Sequence, residues 1–134
     1  MTTEAERSMC KVAVIDDDPD ALRTASQILE RSGFDVVTYG AAHSRLPFLA
    51  RENPDVVLLD VNMPLVSGDD LCRLMREDPT LGHIPVIFFS SNDEGMLRTM
   101  ARQAGAIGYI TKSDMGLDLG RRLRGLLARS GALA

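Results

Sequence analysis

Four consecutive apolar residues, Val56, Val57, Leu58 and Leu59, run directly into a carboxylate, Asp60; Asn62 and then Met63-Pro64 follow and open a loop. An unbroken apolar run of this length suits a strand buried on both faces, as in a parallel sheet covered by helices. An acid at the carboxyl end of such a strand is where open α/β sheets place their chemistry. A single Asp there could equally cap a turn. Three other stretches repeat the arrangement: residues 12–15 followed by Asp16-Asp17-Asp18, residues 86–89 followed by Ser90, and residues 107–110 followed by Thr111-Lys112.

Between these runs the periodicity changes to that of helices. Asp18-Pro19 offers an N-cap and a first-turn proline, Leu22, Ala25, Ile28 and Leu29 recur at helical spacing, and Gly33 supplies the stop. A second strand is expected over residues 34–39 and a short helix over 44–51 with Pro47 in its first turn. A third helix over 69–76 buries Leu71 and either Leu74 or Met75. A fourth runs over 94–104, with Met96 or Leu97, Met100 and Ala104 inward and Gly105 as cap. The last helix is expected over 114–129, with Leu119, Leu123, Leu126 and Leu127 on one face. Five strands alternating with five helices through short connections imply a five-stranded parallel sheet with helices on both faces. At 134 residues the natural strand order is the flavodoxin-like 2-1-3-4-5. Residues 1–9 are polar and read as a loose tail, residues 10–130 as one domain, and no output domain is expected.

The net charge of −4 and a pI near 5.1 weigh against nucleic acid or an anionic membrane as main partner, because both reward a basic surface. Cys10 and Cys72 lack metal-type spacing and read as reduced, partly buried thiols of a cytoplasmic protein, with a disulfide as the minor alternative. His43 and His83 are isolated and read as surface residues.

In the expected strand order Asp16, Asp17, Asp60, Ser90 and Lys112 converge on one edge of the sheet. Several carboxylates in one pocket repel, so a cation must compensate. Carboxylate and carbonyl oxygens suit Mg2+, which binds through one or two carboxylates and keeps several waters. Lys112 adds a fixed positive charge opposite Asp60. A metal and a lysine together neutralise phosphoryl oxygens, the Ser90 hydroxyl can donate to one of them, and Asp60 is left as the nucleophile that forms an acyl phosphate.

These four motifs, in this order at these strand ends, resemble the receiver domain of response regulators in bacterial two-component signalling, of the single-domain chemotaxis-regulator type. The resemblance covers residues from about 11 to 129. It implies that Asp60 accepts the phosphoryl group, that Asp16 and Asp17 form the acidic pair with Asp17 a direct Mg2+ ligand, and that Asn62 offers its backbone carbonyl to the metal. It places Ser90 and Tyr109 at the switch positions and makes Lys112 the partner lysine. It also implies a sensor histidine kinase or phosphotransfer protein upstream, and a downstream protein target at the helix 4, strand 5, helix 5 face, where Arg98, Tyr109 and Arg122 are candidates. No nucleic acid or membrane partner is implied, and no enzymatic activity beyond Asp60's own phosphorylation and dephosphorylation.

One position departs from the family. Ser113 follows Lys112 where a proline in a cis peptide is usual, and a cis bond before a non-proline costs about 3 kcal/mol. A trans bond, a rearranged loop and a displaced Lys112 are therefore expected. Two competing functions stay open: a pseudo-receiver that binds partners without phosphorylation, favoured by Ser113, and a haloacid dehalogenase-type phosphohydrolase with Asp16 as nucleophile and Asp18 as acid. Asp18 and Asp20 read otherwise as helix-start acids, Ser91 as a small residue leaving room beside Ser90, and the arginines of the last helix as a solvated face.

Overall fold

The computed structural model describes residues 10–40, 45–63, 67–114, 116 and 118–131, with Arg45 and Asp114 described for their backbone alone. The expected tail at 1–9, His43, Ser44 and Pro64 lie outside the described residues. Five strands form one parallel sheet: β1 (Lys11–Ile15), β2 (Asp35–Tyr39), β3 (Val56–Leu59), β4 (Val86–Ser90) and β5 (Gly108–Thr111), in the order β2-β1-β3-β4-β5. The helices are α1 (Pro19–Arg31), α2 (Arg45–Glu52), α3 (Gly68–Glu77), α4 (Glu94–Ala104) and α5 (Leu119–Ser130).

Alternate residues of each strand serve two cores. Val12, Val14, Val56, Leu58, Ile87, Phe89 and Ile110 pack under α1 and α5 with Ala25, Leu29, Leu123 and Leu127. Ala13, Ile15, Val57, Leu59, Val86 and Phe88 face the other way, onto α2, α3 and α4. Both phases of the strand period are apolar, so neither face of the central strands tolerates water; hence the unbroken runs in the sequence.

The helix ends follow the local chemistry. The Asp18 side chain accepts from Asp20 N at 3.0 Å, and Pro19 opens α1. Asp93 accepts from Met96 N at 3.1 Å to cap α4, which Gly105 closes at φ +86°. Asp20 is no cap but pairs with Arg23 at the surface. Pro47 sits in the first turn of α2 as expected. Where the sequence left two choices, packing decides: Met75 and Leu97 are fully buried while Leu74 and Met96 are exposed.

Most boundaries lie within one residue of expectation, and two differences have a visible cause. Phe34 is buried in the α1–α5 core, and β2 starts one residue later because its pairing with β1 begins at Lys11 with Asp35. The last helix does not begin at Asp114. Residues Lys112–Asp114 form a 3-10 turn, Gly116 at φ +103° breaks the path, and α5 starts at Leu119 after Asp118, whose carbonyl accepts from Arg122 N. Cys72 is buried in α3 and Cys10 half-buried; both are free thiols, and burial with the nearby Asp55 charge pushes Cys10 up to about 11.

Close approach of α1 and α5 depends on Gly120. A Cβ there would lie 2.4 Å from Ser32 Oγ and 2.6 Å from Ser32 Cβ. Gly120→Ala is expected to cost roughly 1–3 kcal/mol by overpacking, and Leu58→Ala roughly 2–5 kcal/mol by opening a cavity in the central strand. Leu74→Ala, on an exposed side chain, should change stability by less than about 0.5 kcal/mol. Urea unfolding midpoints of the three variants check this ranking.

Candidate functional site

Three strands of the sheet end in the same local device. After β1, Asp16 Oδ1 accepts from Asp18 N at 2.9 Å; after β3, Asp60 Oδ1 accepts from Asn62 N at 3.1 Å; at the end of β4, Ser90 Oγ accepts from Asn92 N at 3.2 Å. Each side chain folds back on the amide two residues ahead, which turns the chain out of the sheet and fixes the side chain's rotamer. Asp16, Asp60 and Ser90 are all buried, at 1%, 4% and 0% exposure. Beneath Asp60 the backbone of α3 approaches closely: Gly68 N donates to Val61 O, and a Cβ on Gly68 would lie 2.2 Å from the Asp60 carbonyl oxygen.

The second carboxylate oxygens remain available, and they point to one cation. Lys112 Nζ lies 2.7 Å from Asp16 Oδ2 and 3.7 Å from Asp60 Oδ2, over the face of Phe89 at 5.8 Å from its ring centre. The expected displacement of Lys112 out of the site does not occur. The Lys112–Ser113 peptide is trans as expected, and the rearranged loop takes the form of the 3-10 turn, which starts at Lys112 itself and leaves its side chain in the site. The lysine nevertheless sits nearer Asp16 than Asp60.

The electrostatics reflect burial without enough positive charge. Burial, reinforced by the neighbouring Asp16 carboxylate, holds the Asp60 carboxyl above the ordinary range, against the opposing pull of the Asn62 amide and Lys112. Burial alone would lower the Lys112 ammonium, but its contact with Asp16 and the charges of Asp60, Asp16 and Asp18 outweigh this and raise it. One lysine faces three acids. Carboxylate oxygens of Asp16, Asp17 and Asp60 lie within 4.8 Å of one another, and Asp16 Oδ2, although close to Lys112, accepts no well-directed hydrogen bond from the described residues. A buried carboxylate oxygen in that condition, beside an exposed Asp17, is a donor set that could hold a metal ion.

Asn62 does more than was read from the sequence. Its side-chain amide donates to Ser90 Oγ at 3.0 Å and to Asn92 Oδ1, tying the turn after β3 to the turn after β4. Ser90 Oγ thus accepts twice, from Asn62 Nδ2 and Asn92 N, and its own proton is left to donate. Asn92 was missed as a site residue, yet its signal was present: Ser90-Ser91-Asn92 repeats the spacing of Asp60-Val61-Asn62.

Tyr109 stands apart from the acids. Its hydroxyl donates to Glu94 Oε1 at 3.1 Å and accepts from Arg98 Nη2 at 3.2 Å, which holds the half-buried ring toward α4. Glu94 and the tie to Arg98 were not legible as its partners, since they depend on how β5 lies beside α4. His83 is exposed as expected.

A family model described as the response regulator receiver domain matches residues 12–123. Protein RcaC of Microchaete diplosiphon is 36% identical over 124 residues, which is 92% of this chain and 19% of RcaC. The transcriptional regulatory protein CseB of Streptomyces coelicolor is 37% identical over 116 residues, 86% of this chain and 48% of CseB. This chain therefore spans half or less of the length of these relatives. Among solved structures, the BeF3-activated N-terminal receiver domain of Klebsiella pneumoniae RstA is similar with a TM-score of 0.76 at 32% identity, covering 87% of this chain and 97% of that one. A match that runs from the first strand into the last helix takes in the whole sheet and every strand end described above: the chain belongs to the response regulator receiver domain family.

Proposed function

We propose that this chain is a phosphorylation-controlled switch of a two-component or phosphorelay system, with Asp60 as phosphoacceptor. The observation that carries the reading is the division of labour between the two oxygens of Asp60. Oδ1 is held by the Asn62 amide, and Oδ2 faces Lys112 within a group of acids suited to a metal. Oδ2 is the nucleophile. It attacks phosphorus in a phosphohistidine of a sensor kinase or phosphotransfer protein, or in a small acyl phosphate; the P–N or P–O bond breaks with its electron pair on the leaving group, and an aspartyl phosphate forms.

Asp16, Asp17 and Asp60 would hold Mg2+ together with the backbone carbonyl of Asn62. When bound, Mg2+ supplies the positive charge that draws the phosphoryl oxygens into the site. Lys112 shifts its pairing toward the phosphoryl group, and the Ser90 proton, which has no acceptor among the described residues, donates to a phosphoryl oxygen. Ser90 and Tyr109 then move inward, a change that biases a pre-existing equilibrium by the contacts it makes in one state alone. The chain catalyses its own phosphorylation and dephosphorylation rather than turnover of a separate substrate. Signalling by contact with a downstream protein in the cytoplasm completes this reading; no described helix is long and apolar enough to cross a membrane. The hydrolase alternative is less well supported, since Asp18, its acid, has one oxygen engaged as the cap of α1.

Incubation with acetyl phosphate and Mg2+, followed by intact mass, should show one added phosphoryl group on the wild type and none on Asp60→Asn or without Mg2+. An unlabelled wild type, under conditions that label another receiver, would leave the phosphorylation-independent binding module as the reading.

A second prediction concerns pH. The folded chain binds the Asp60 proton more tightly than the unfolded chain does. Asp60 therefore opposes folding increasingly as pH rises from its unfolded to its folded value. Lys112 has the opposite sign: its contribution is present below the ordinary lysine range and lost as pH rises through its raised folded value. At pH 8 without divalent ions, Asp60→Asn should raise Tm, and the gain should shrink on acidification as Asp60 takes up its proton. Thermal melts showing a lower or pH-independent Tm for the variant would contradict the electrostatic account.

A further inference from the structure

Lys112 reaches the acids from an unpromising position. Its stem is long and freely rotating, and it stands at the first residue of the 3-10 turn that follows β5. Its ammonium nevertheless lies 2.7 Å from Asp16 Oδ2 and 3.7 Å from Asp60 Oδ2. A flexible side chain keeps such distances best when the backbone that carries it has a fixed direction.

The two residues that flank Lys112 supply a tie. Thr111 Oγ1 and Ser113 Oγ lie 3.0 Å apart, at hydrogen-bond distance, and close a bridge across the backbone of Lys112. One end of the bridge is anchored, because Thr111 is the last residue of β5 and pairs in the sheet with Ser90 of β4. The other end has little packing to hold it. Ser113 is exposed, and at Gly116, where φ is +103°, an added Cβ would meet nothing within 4 Å. The Ser113 hydroxyl therefore connects a loosely packed turn to the end of the sheet.

We infer that Ser113 is a positioning residue: through its hydrogen bond to Thr111 it fixes the direction in which the Lys112 side chain leaves the end of β5. The inference rests on the phosphoacceptor reading for its consequence, since Lys112 is the cation that follows the phosphoryl group. It assigns a part in that reaction to a side chain that acts only through its neighbour. If the turn held itself, any small residue at 113 would serve; if the tie holds it, a hydroxyl is required. Both hydroxyls can bond water instead, so the effect is severalfold rather than absolute.

The test compares Ser113→Ala, which removes the tie, Ser113→Thr, which keeps a hydroxyl, Thr111→Val, and Ser113→Ala combined with Thr111→Val. Lys11 and Lys112 are the two lysines of the chain, so protein grown on 13C-lysine gives one set of side-chain signals from each. In the unphosphorylated wild type without Mg2+, the Lys112 ε-methylene should feel the ring of Phe89, whose centre is 5.8 Å from Nζ. Ser113→Ala should move that signal toward the position of a free lysine and Ser113→Thr should leave it in place. Lys11, paired with Glu52, should not move in either. The rate of labelling by acetyl phosphate with Mg2+ should fall about threefold to tenfold in Ser113→Ala and recover in Ser113→Thr. Thr111→Val should cost less in the Ser113→Ala background than in the wild type. An unmoved Lys112 signal in Ser113→Ala, no difference between the Ala and Thr variants, or additive effects of the two substitutions would overturn the inference. Movement of both lysine signals together would also overturn it, in favour of a loosened fold. The spectrum uses no phosphoryl group. An unlabelled wild type would therefore sink the phosphoacceptor reading and leave the spectrum to decide the positioning, whereas a labelled wild type with an indifferent Ser113→Ala would sink the positioning alone.

Discussion

Three carboxylates held within a few ångströms at the end of a buried sheet repel one another, and the rest of the site is arranged around that repulsion. Lys112 is the one cation placed against Asp16 and Asp60 in the described site, and it sits against them because the chain curls into a 3-10 turn right after β5. Lys112 directly follows Thr111, the last residue of β5, and its ammonium lies over the face of Phe89. One positive charge against three negative ones leaves a deficit, an arrangement that favours further positive charge.

The sheet supplies the geometry. β1, β3 and β4 are neighbours, so residues at or just past their ends arrive at the same edge of the sheet. Asp16, Asp60 and Ser90 use that coincidence, although they lie far apart in the chain. The two apolar phases of these strands fix their height relative to α1 and α5 on one face and α2 to α4 on the other, and the strand ends inherit that rigidity.

Most of this was legible in the sequence, because the signals were local. Unbroken apolar runs mark strands buried on both faces, Asp18-Pro19 marks a helix start, and an acid or hydroxyl directly after a run marks the functional edge. What escaped depended on contacts between elements. The break at Gly116 that delays α5 requires a positive φ that no neighbouring pattern announces. The partners of Tyr109 on α4 and the approach of Gly68 to Asp60 arise only when helices dock on the sheet. The preference of Lys112 for Asp16 is a matter of one ångström and lies beyond any reading of spacing. Asn92 is different in kind: its repeat of the Asp60-to-Asn62 spacing was visible and simply carried no weight until the two turns were seen to share a hydrogen bond.

The turns that end β1 and β3 also set a ruler for side-chain length. One oxygen of Asp16 and of Asp60 reaches its own backbone two residues ahead while the other reaches the lysine. Aspartate spans both contacts with a single methylene. Glutamate, longer by one carbon, cannot close the same short ring with one oxygen and keep the other in place. The choice of acid at these positions is thus dictated by reach before it is dictated by charge, and two side chains of equal charge and nearly equal acidity are not equivalent here.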